Sequence, residues 1–139
     1  MTVRRRTGVR AILRAMSTPL DWAERGREAE ARAASHLIAA GFEILARNIR
    51  TASGEIDLLA REGPVLVVVE VKLRRTPAEA RRALSPRKRR LLIATAKEVR
   101  QKLRIAGRFP LRFDLVSVIG DDPPIHVRGA FFASDTFRR

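Results

Sequence analysis

The chain has no cysteine among its 139 residues. That excludes disulfides, zinc-thiolate sites and thiol nucleophiles, and it fits a reducing compartment, the cytoplasm in the simplest reading. Any metal must be held by oxygen or histidine, and the two histidines, His36 and His126, stand too far apart in sequence to read as a metal pair. Tyrosine is missing as well; one tryptophan and six phenylalanines read as core, so stacking on single-stranded nucleic acid is not favoured. No apolar run approaches the roughly 18 residues of a membrane span. The apolar patch from Val9 to Met16 is broken by Arg10 and Arg14, so neither a membrane segment nor a cleaved secretory signal is expected.

Acid is scarce relative to base. The 29 Lys+Arg against 15 Asp+Glu leave a net charge of +14, which suits attraction to a polyanion, nucleic acid first among them. The excess is concentrated. From Lys72 to Arg108 there are 14 basic residues and only two acidic ones, Glu79 and Glu98, a surplus of 12. With 45% hydrophobic residues the chain is able to build one core without staples. Residues 1–18, with Arg4, Arg5, Arg6, Arg10 and Arg14, read as a basic arm whose order composition leaves open, and residues 19–139 as a single domain.

Local signals give the element order. Thr18-Pro19 is a cap followed by proline, and small or apolar residues recur at helical spacing to Gly41, predicting a helix over about 19 to 40. Phe42 to Arg50 and Glu55 to Arg61 read as strands, and Val65 to Lys72 is the most β-branched run in the chain. With the Ala52-Ser53-Gly54 and Glu62-Gly63-Pro64 turns, these make an antiparallel meander. Ser85-Pro86 opens a second long helix ending near Gly107; Leu111 to Ile119 is a fourth strand and Ile125 to Arg128 a short fifth. The order α-β-β-β-α-β-β predicts a central mixed β-sheet flanked by helices.

The chemistry lies in the third strand. Glu70 and Lys72 are two apart and so project from one face, in a strand whose apolar character asks for burial on both sides. Burying a carboxylate and an ammonium there costs free energy unless they find partners. Glu55 and Asp57 also share a face, and the hairpin at Gly63 brings them beside Glu70, predicting three converging carboxylates. Crowded carboxylates raise one another's pKa unless a cation lies between them, and oxygen ligands select Mg²⁺ or Mn²⁺. This is the chemistry of metal-dependent phosphodiester hydrolysis, with Asp57 and Glu70 as ligands, Lys72 beside the attacking water, and Glu28 on the first helix completing the shell. The ordinary alternative is an ion pair on a strand, since Glu-x-Lys alone is common.

Gly26-Arg27-Glu28-Ala29, Arg47-Asn48-Ile49-Arg50, Gly54-Glu55-Ile56-Asp57-Leu58, Val69-Glu70-Val71-Lys72, Lys88 and Arg112-Phe113-Asp114 stand in an order and spacing that resemble the YraN family, also called UPF0102. The resemblance runs from about Asp21 to Phe132 and leaves the arm outside. That family is similar in fold to the PD-(D/E)xK nucleases, especially archaeal Holliday-junction resolvases. The resemblance therefore implies a restriction-endonuclease-like α/β fold, with Glu28 as the helix-borne acid, Asp57 as the metal-binding aspartate and Glu70 and Lys72 as the E-x-K pair. Leu66-Val67-Val68 replaces the aromatic expected before that pair, a difference of packing rather than chemistry.

Arg74, Arg75, Arg81, Arg82, Arg87, Lys88, Arg89 and Arg90 flank the site in sequence and suit phosphate contacts. Lys88 lies at the start of its helix on the apolar side, either snorkelling or reaching the site. Two functions are compatible with this pattern. One is a Mg²⁺- or Mn²⁺-dependent endonuclease acting on DNA rather than RNA, on branched structures in particular, for which a homodimer would match a symmetric junction. The other is a nucleic-acid-binding or partner-recruiting module that keeps the fold without turnover.

Overall fold

The computed structural model describes residues 8–9, 11–13, 15–16, 24–73, 76–105 and 107–133. Its elements are α1 (Glu24–Ala39), β1 (Glu43–Thr51), β2 (Gly54–Glu62), β3 (Val65–Leu73), α2 (Pro77–Ala83), α3 (Pro86–Lys102), β4 (Leu111–Val118) and β5 (Ile125–Phe131). The five strands form one sheet in the order β1-β2-β3-β4-β5. β1, β2 and β3 are antiparallel neighbours, β3 and β4 are parallel, and β5 returns antiparallel to β4. This is the expected mixed sheet, with the crossover from β3 to β4 carried by α2 and α3.

Two apolar clusters cover its faces. Ala29, Ala33, Ala34 and Leu37 of α1 pack with Phe42, Leu58, Val67, Val69, Val116 and Val118. On the other face Leu92, Ala96 and Val99 of α3 and Ala80 of α2 pack with Ile49, Ile56, Leu59, Val68, Phe113 and Leu115. β3 is the middle strand, and Leu66 to Glu70 are all buried, as the continuous β-branched run requires. Trimming one fully buried core leucine such as Leu92 to alanine would cost about 2–5 kcal/mol.

The starts of α2 and α3 and the end of α1 follow local signals, whereas α3 stops at Lys102, short of the expected end near Gly107, with Arg104 at φ 57° as the left-handed residue just beyond it. The Phe42 amide donates to the Leu37 carbonyl at 3.0 Å, with Gly41 at φ 95° as the left-handed residue that lets the chain leave α1. The Thr18-Pro19 start expected for this helix lies outside the described residues. Ser85 Oγ accepts from the Lys88 amide at 3.2 Å and Pro86 takes the first turn of α3. The short helix α2, which was not expected, uses the same device: Thr76 Oγ1 accepts from the Glu79 amide at 3.1 Å ahead of Pro77.

Two further differences have local causes. β1 does not alternate throughout: a bulge between Ile44 and Ala46 shifts the register against β2, so Ala46 joins the α3-side cluster while Ile44 stays on the α1 side. β5 runs on to Phe131, three residues beyond the expected Arg128, because Phe131 stacks on Phe113 at 4.7 Å between centroids. Most of the basic arm lies outside the described residues; residues 8–9, 11–13 and 15–16 are helical, and Leu13 is buried in the α3-side cluster.

Candidate functional site

The ladder between β2 and β3 runs from Glu62↔Val65 to Leu58↔Val69 and goes no further. Beyond it the two strands part. The Val71 amide, left without a strand partner on that side, donates instead to Asp57 Oδ2 at 2.8 Å. That notch sets the site. Asp57 is held at its edge by main chain, and Glu70 sits on the same stretch of β3 with only 4% of its surface exposed.

Glu70 projects toward α3, on the face shared by Leu66 and Val68. Its Oε1 lies 3.1 Å from the Lys72 ammonium and 3.6 Å from that of Lys88, in the first turn of α3. Its Oε2 is buried with no hydrogen-bond partner among the described residues. A carboxylate oxygen withheld from water without a donor is unfavourable, so this one is poised to accept whatever positive charge or donor enters the notch. Asp57 is pushed up to about 7, first by burial, then by the charge of Glu70 and that of Glu30; the Val71 amide and Lys88 act in the opposite direction.

The third carboxylate comes from α1. Glu30 is half-buried, receives a hydrogen bond from the Asn48 side chain, and is raised above the ordinary glutamate value, chiefly by burial, with Glu55 and Glu70 adding repulsion. Asn48 adopts a left-handed φ of 52° within β1, a conformation asparagine tolerates better than most residues. Glu28 does not reach this notch. It is exposed on the outer side of α1, around a shallow depression lined by Ala31, Arg32, Ser35, His36 and Pro124. Glu30 has a legible signal: it precedes Ala33 by three and Leu37 by seven, placing it on the sheet-facing stripe that Glu28 misses.

The expected convergence of Glu55 with Asp57 and Glu70 takes a different form. Glu55 pairs with Arg50 at the surface, beyond the last β2–β3 pair at Leu58↔Val69, and its charge is felt at Glu30. Asp114 faces the other side of the sheet. Buried to 1% exposure, it accepts from Arg112 Nε at 2.7 Å and Nη2 at 2.8 Å, from the Gly129 amide at 3.0 Å, and lies 2.7 Å from His126 Nε2. Burial raises its pKa, but the His126, Arg112 and Gly129 hydrogen bonds together outweigh it and hold Asp114 at about 2. Arg112 also bonds Glu62 at 2.9 Å and lies over the Phe42 ring. Every oxygen of Asp114 is engaged, which is the pattern of a structural anchor.

Of the arginines expected to face nucleic acid, Arg81, Arg82, Arg87 and Arg90 are exposed. Arg89 is not presented in the same way: its Nε donates to the Leu84 carbonyl at 2.9 Å and its guanidinium lies over Phe131. Lys88 is drawn inward to Glu70, and Arg74 and Arg75 lie outside the described residues. The first turn of α3 carries no acidic residue of its own; the carboxylate that Lys88 meets there is Glu70, from β3.

The donor set suits a hard cation in one respect and limits it in another. Asp57 and Glu70 offer two adjacent carboxylates, one with a free buried oxygen. Among the described residues no three His, Asp or Glu side chains stand close enough to cage a metal by themselves. A cation here would take two carboxylates and keep water or substrate oxygens as its remaining ligands, the habit of Mg²⁺. The site is an open notch, with the Lys72 and Lys88 side chains 18% and 34% exposed. A surface depression of about 590 Å³ beside Ile38, Phe42 and residues 43–47 is not lined by Asp57, Glu70, Lys72 or Lys88.

A central mixed sheet with helices on both faces, parting at a carboxylate-lysine notch, is an α/β architecture consistent with a nuclease-like fold. The family model described as "Uncharacterised protein family UPF0102" matches residues 29–118. The UPF0102 protein of Acidiphilium cryptum is 45% identical over 112 residues, covering 80% of this chain and 86% of that protein. Those of Mesorhizobium japonicum and Maricaulis maris are 43% and 42% identical, covering 78% and 82% of this chain and 86% and 90% of theirs. The chain belongs to the UPF0102 family. Among the described residues no helix is long and apolar enough to cross a membrane.

Proposed function

We propose that the protein is a divalent-cation-dependent endonuclease-type hydrolase of DNA phosphodiesters, with branched DNA as its favoured substrate. The observation that carries this reading is Glu70: a carboxylate buried in the middle strand whose Oε2 has no partner among the described residues, beside an Asp57 raised to about 7 by burial first and then by the charge of Glu70. Asp57 and Glu70 would hold Mg²⁺ or Mn²⁺. Such a cation supplies charge neutralisation at the phosphoryl oxygens and acidifies water.

The protein's own groups do the rest. Asp57, raised to about 7 by burial and by Glu70, would serve as a ligand in its ionised form. The Lys72 ammonium, held by Glu70 and partly open to solvent, orients the attacking water or meets the charge that develops on the phosphoryl group. Glu30 reaches the same notch from α1 through its charge. The exposed Arg81, Arg82, Arg87 and Arg90 flank the notch in sequence and would grip phosphates without reading bases. A homodimer would present two notches to a symmetric junction, and the cysteine-free composition suits the cytoplasm.

The test is cleavage of junction, flap and duplex DNA by the purified protein with Mn²⁺, comparing wild type with Asp57→Ala. The expected loss is on the order of 100-fold or more; equal cleavage by the two would remove the proposal. A second reading is a nucleic-acid-binding module without turnover. It is favoured by the pairing of Glu70 Oε1 with both Lys72 and Lys88, which already supplies two positive charges. Its mark is salt-dependent DNA affinity that survives Asp57→Ala with no cleavage by either protein.

A further inference from the structure

Among the described residues two buried side-chain atoms lack a hydrogen-bond partner: Glu70 Oε2 and Ser117 Oγ. They are neighbours. In the parallel register of β3 and β4, Lys72 stands opposite Ser117 and Glu70 opposite Leu115. Ser117 follows Phe113 and Leu115 at alternate positions, so all three face the α3 layer. That is the face of Glu70 and Lys72. Ser117 is therefore beside Lys72 and diagonal to Glu70, with none of its surface exposed.

An unmade hydrogen bond at a buried polar group is unfavourable, and two such groups on adjacent strands ask for a common remedy. Their chemistry is complementary. Glu70 Oε2 only accepts, a serine hydroxyl both donates and accepts, and the Lys72 ammonium has donors left after its 3.1 Å contact with Glu70 Oε1. A buried water typically has two to four polar partners, and this corner offers three. We propose that Ser117 is a positioning residue of the notch: its hydroxyl and Glu70 Oε2 share one buried water, which fixes the Glu70 carboxylate and the Lys72 ammonium relative to each other. The role in the site rests on the hydrolase reading; the water itself does not.

Two measurements test this. A crystal structure of the wild-type protein is expected to show a water within hydrogen-bond distance of both Ser117 Oγ and Glu70 Oε2, missing in Ser117→Ala. A hydroxyl turned onto a main-chain carbonyl, with no such water, would overturn it. Thermal denaturation gives an opposite sign for the two cases. Removing a lone buried hydroxyl leaves stability equal or higher, whereas removing one hand of a shared water lowers the melting temperature, and the loss shrinks when Glu70→Gln is already present. A Ser117→Ala protein that melts at or above wild type would also overturn it.

For the positioning role, Ser117→Ala is expected to weaken Mn²⁺ binding about tenfold by calorimetry, the lower end of what outer-shell changes cost. Unchanged Mn²⁺ affinity, where the wild type binds, would remove that role. If the wild type neither binds Mn²⁺ nor cleaves DNA, the hydrolase reading fails, while the crystallographic and thermal results still decide the shared water.

Discussion

The sheet carries two deeply buried carboxylates on neighbouring strands and opposite faces, and they are treated differently. Asp114 is surrounded by donors: Arg112 twice, the Gly129 amide and His126. Glu70 has two lysines on one oxygen and, among the described residues, no donor on the other, with Asp57 crowding it further. A saturated carboxylate is a fastener, because each of its contacts already exists in the resting protein. One with an oxygen lacking a protein donor depends on something else, a buried water or an entering cation, to satisfy it. Burial alone does not separate the two; the count of donors does.

The contrast breaks most visibly through stability. Asp114→Ala leaves Arg112 and His126 without their shared acceptor and should cost about 3–5 kcal/mol, read as a large fall in the denaturant midpoint. Glu70→Gln should lower the midpoint far less in metal-free buffer, because its partners Lys72 and Lys88 stay partly exposed to solvent and a crowded charge is removed. If both substitutions destabilise alike, the distinction between fastener and open site disappears.

Acid and base should move the two in opposite directions. The folded-state pKa of Asp114 is lowered from 3.8 to about 2, so its contribution is present above about pH 4 and disappears as the pH falls through 2. That of Asp57 is raised from 3.8 to about 7; the folded state holds the proton more tightly, so stability is fully present below about pH 4 and is eroded as the pH rises through 7. Melting curves with chelator should show Asp57→Asn gaining over wild type at pH 8 and little at pH 4. Asp114→Asn should lose at pH 7, by an amount that narrows toward pH 2.

Smaller effects refine the boundary of the site. Reversing Arg81 and Arg82 to glutamate should weaken DNA affinity at low salt and reduce the slope of log affinity against log salt by about 1 for each phosphate no longer gripped. Arg61→Glu, at an exposed position paired with Glu43, should not. Glu30→Gln should alter Mn²⁺ affinity, and Glu28→Gln should leave it unchanged. Equal effects of the last two substitutions would mean that the helix-borne acid was misplaced.

Much of the fold was legible. The hairpin at Gly63-Pro64, the buried run of β3 and the Ser85-Pro86 cap each state their element in local residue chemistry. Helix α2 was equally legible in Thr76-Pro77 with Glu79 behind it, the signature already used at Ser85, but its 7 residues leave too little periodicity to stand out. The bulge at Leu45 was not readable, since it depends on pairing with β2 rather than on β1 itself. In the site, the Glu70–Lys72 pair followed from spacing of two on a strand, and Asp57 from the hairpin register that sets it beside Glu70. Glu30 required the helix phase, which Ala33 and Leu37 define and which a motif match centred on Glu28 ignores. The separation of Asp114 from the notch needed the alternation of β4, set by Phe113 and Leu115 on one side and Val116 and Val118 on the other.

The sharpest test of the two-carboxylate notch is isothermal calorimetry of Mn²⁺ into the metal-free protein at pH 8. One saturable site is expected in the wild type, abolished in both Asp57→Asn and Glu70→Gln and retained in Asp114→Asn at a temperature where that variant is folded. Absence of binding in the wild type, or a site that survives Glu70→Gln unchanged, would refute it.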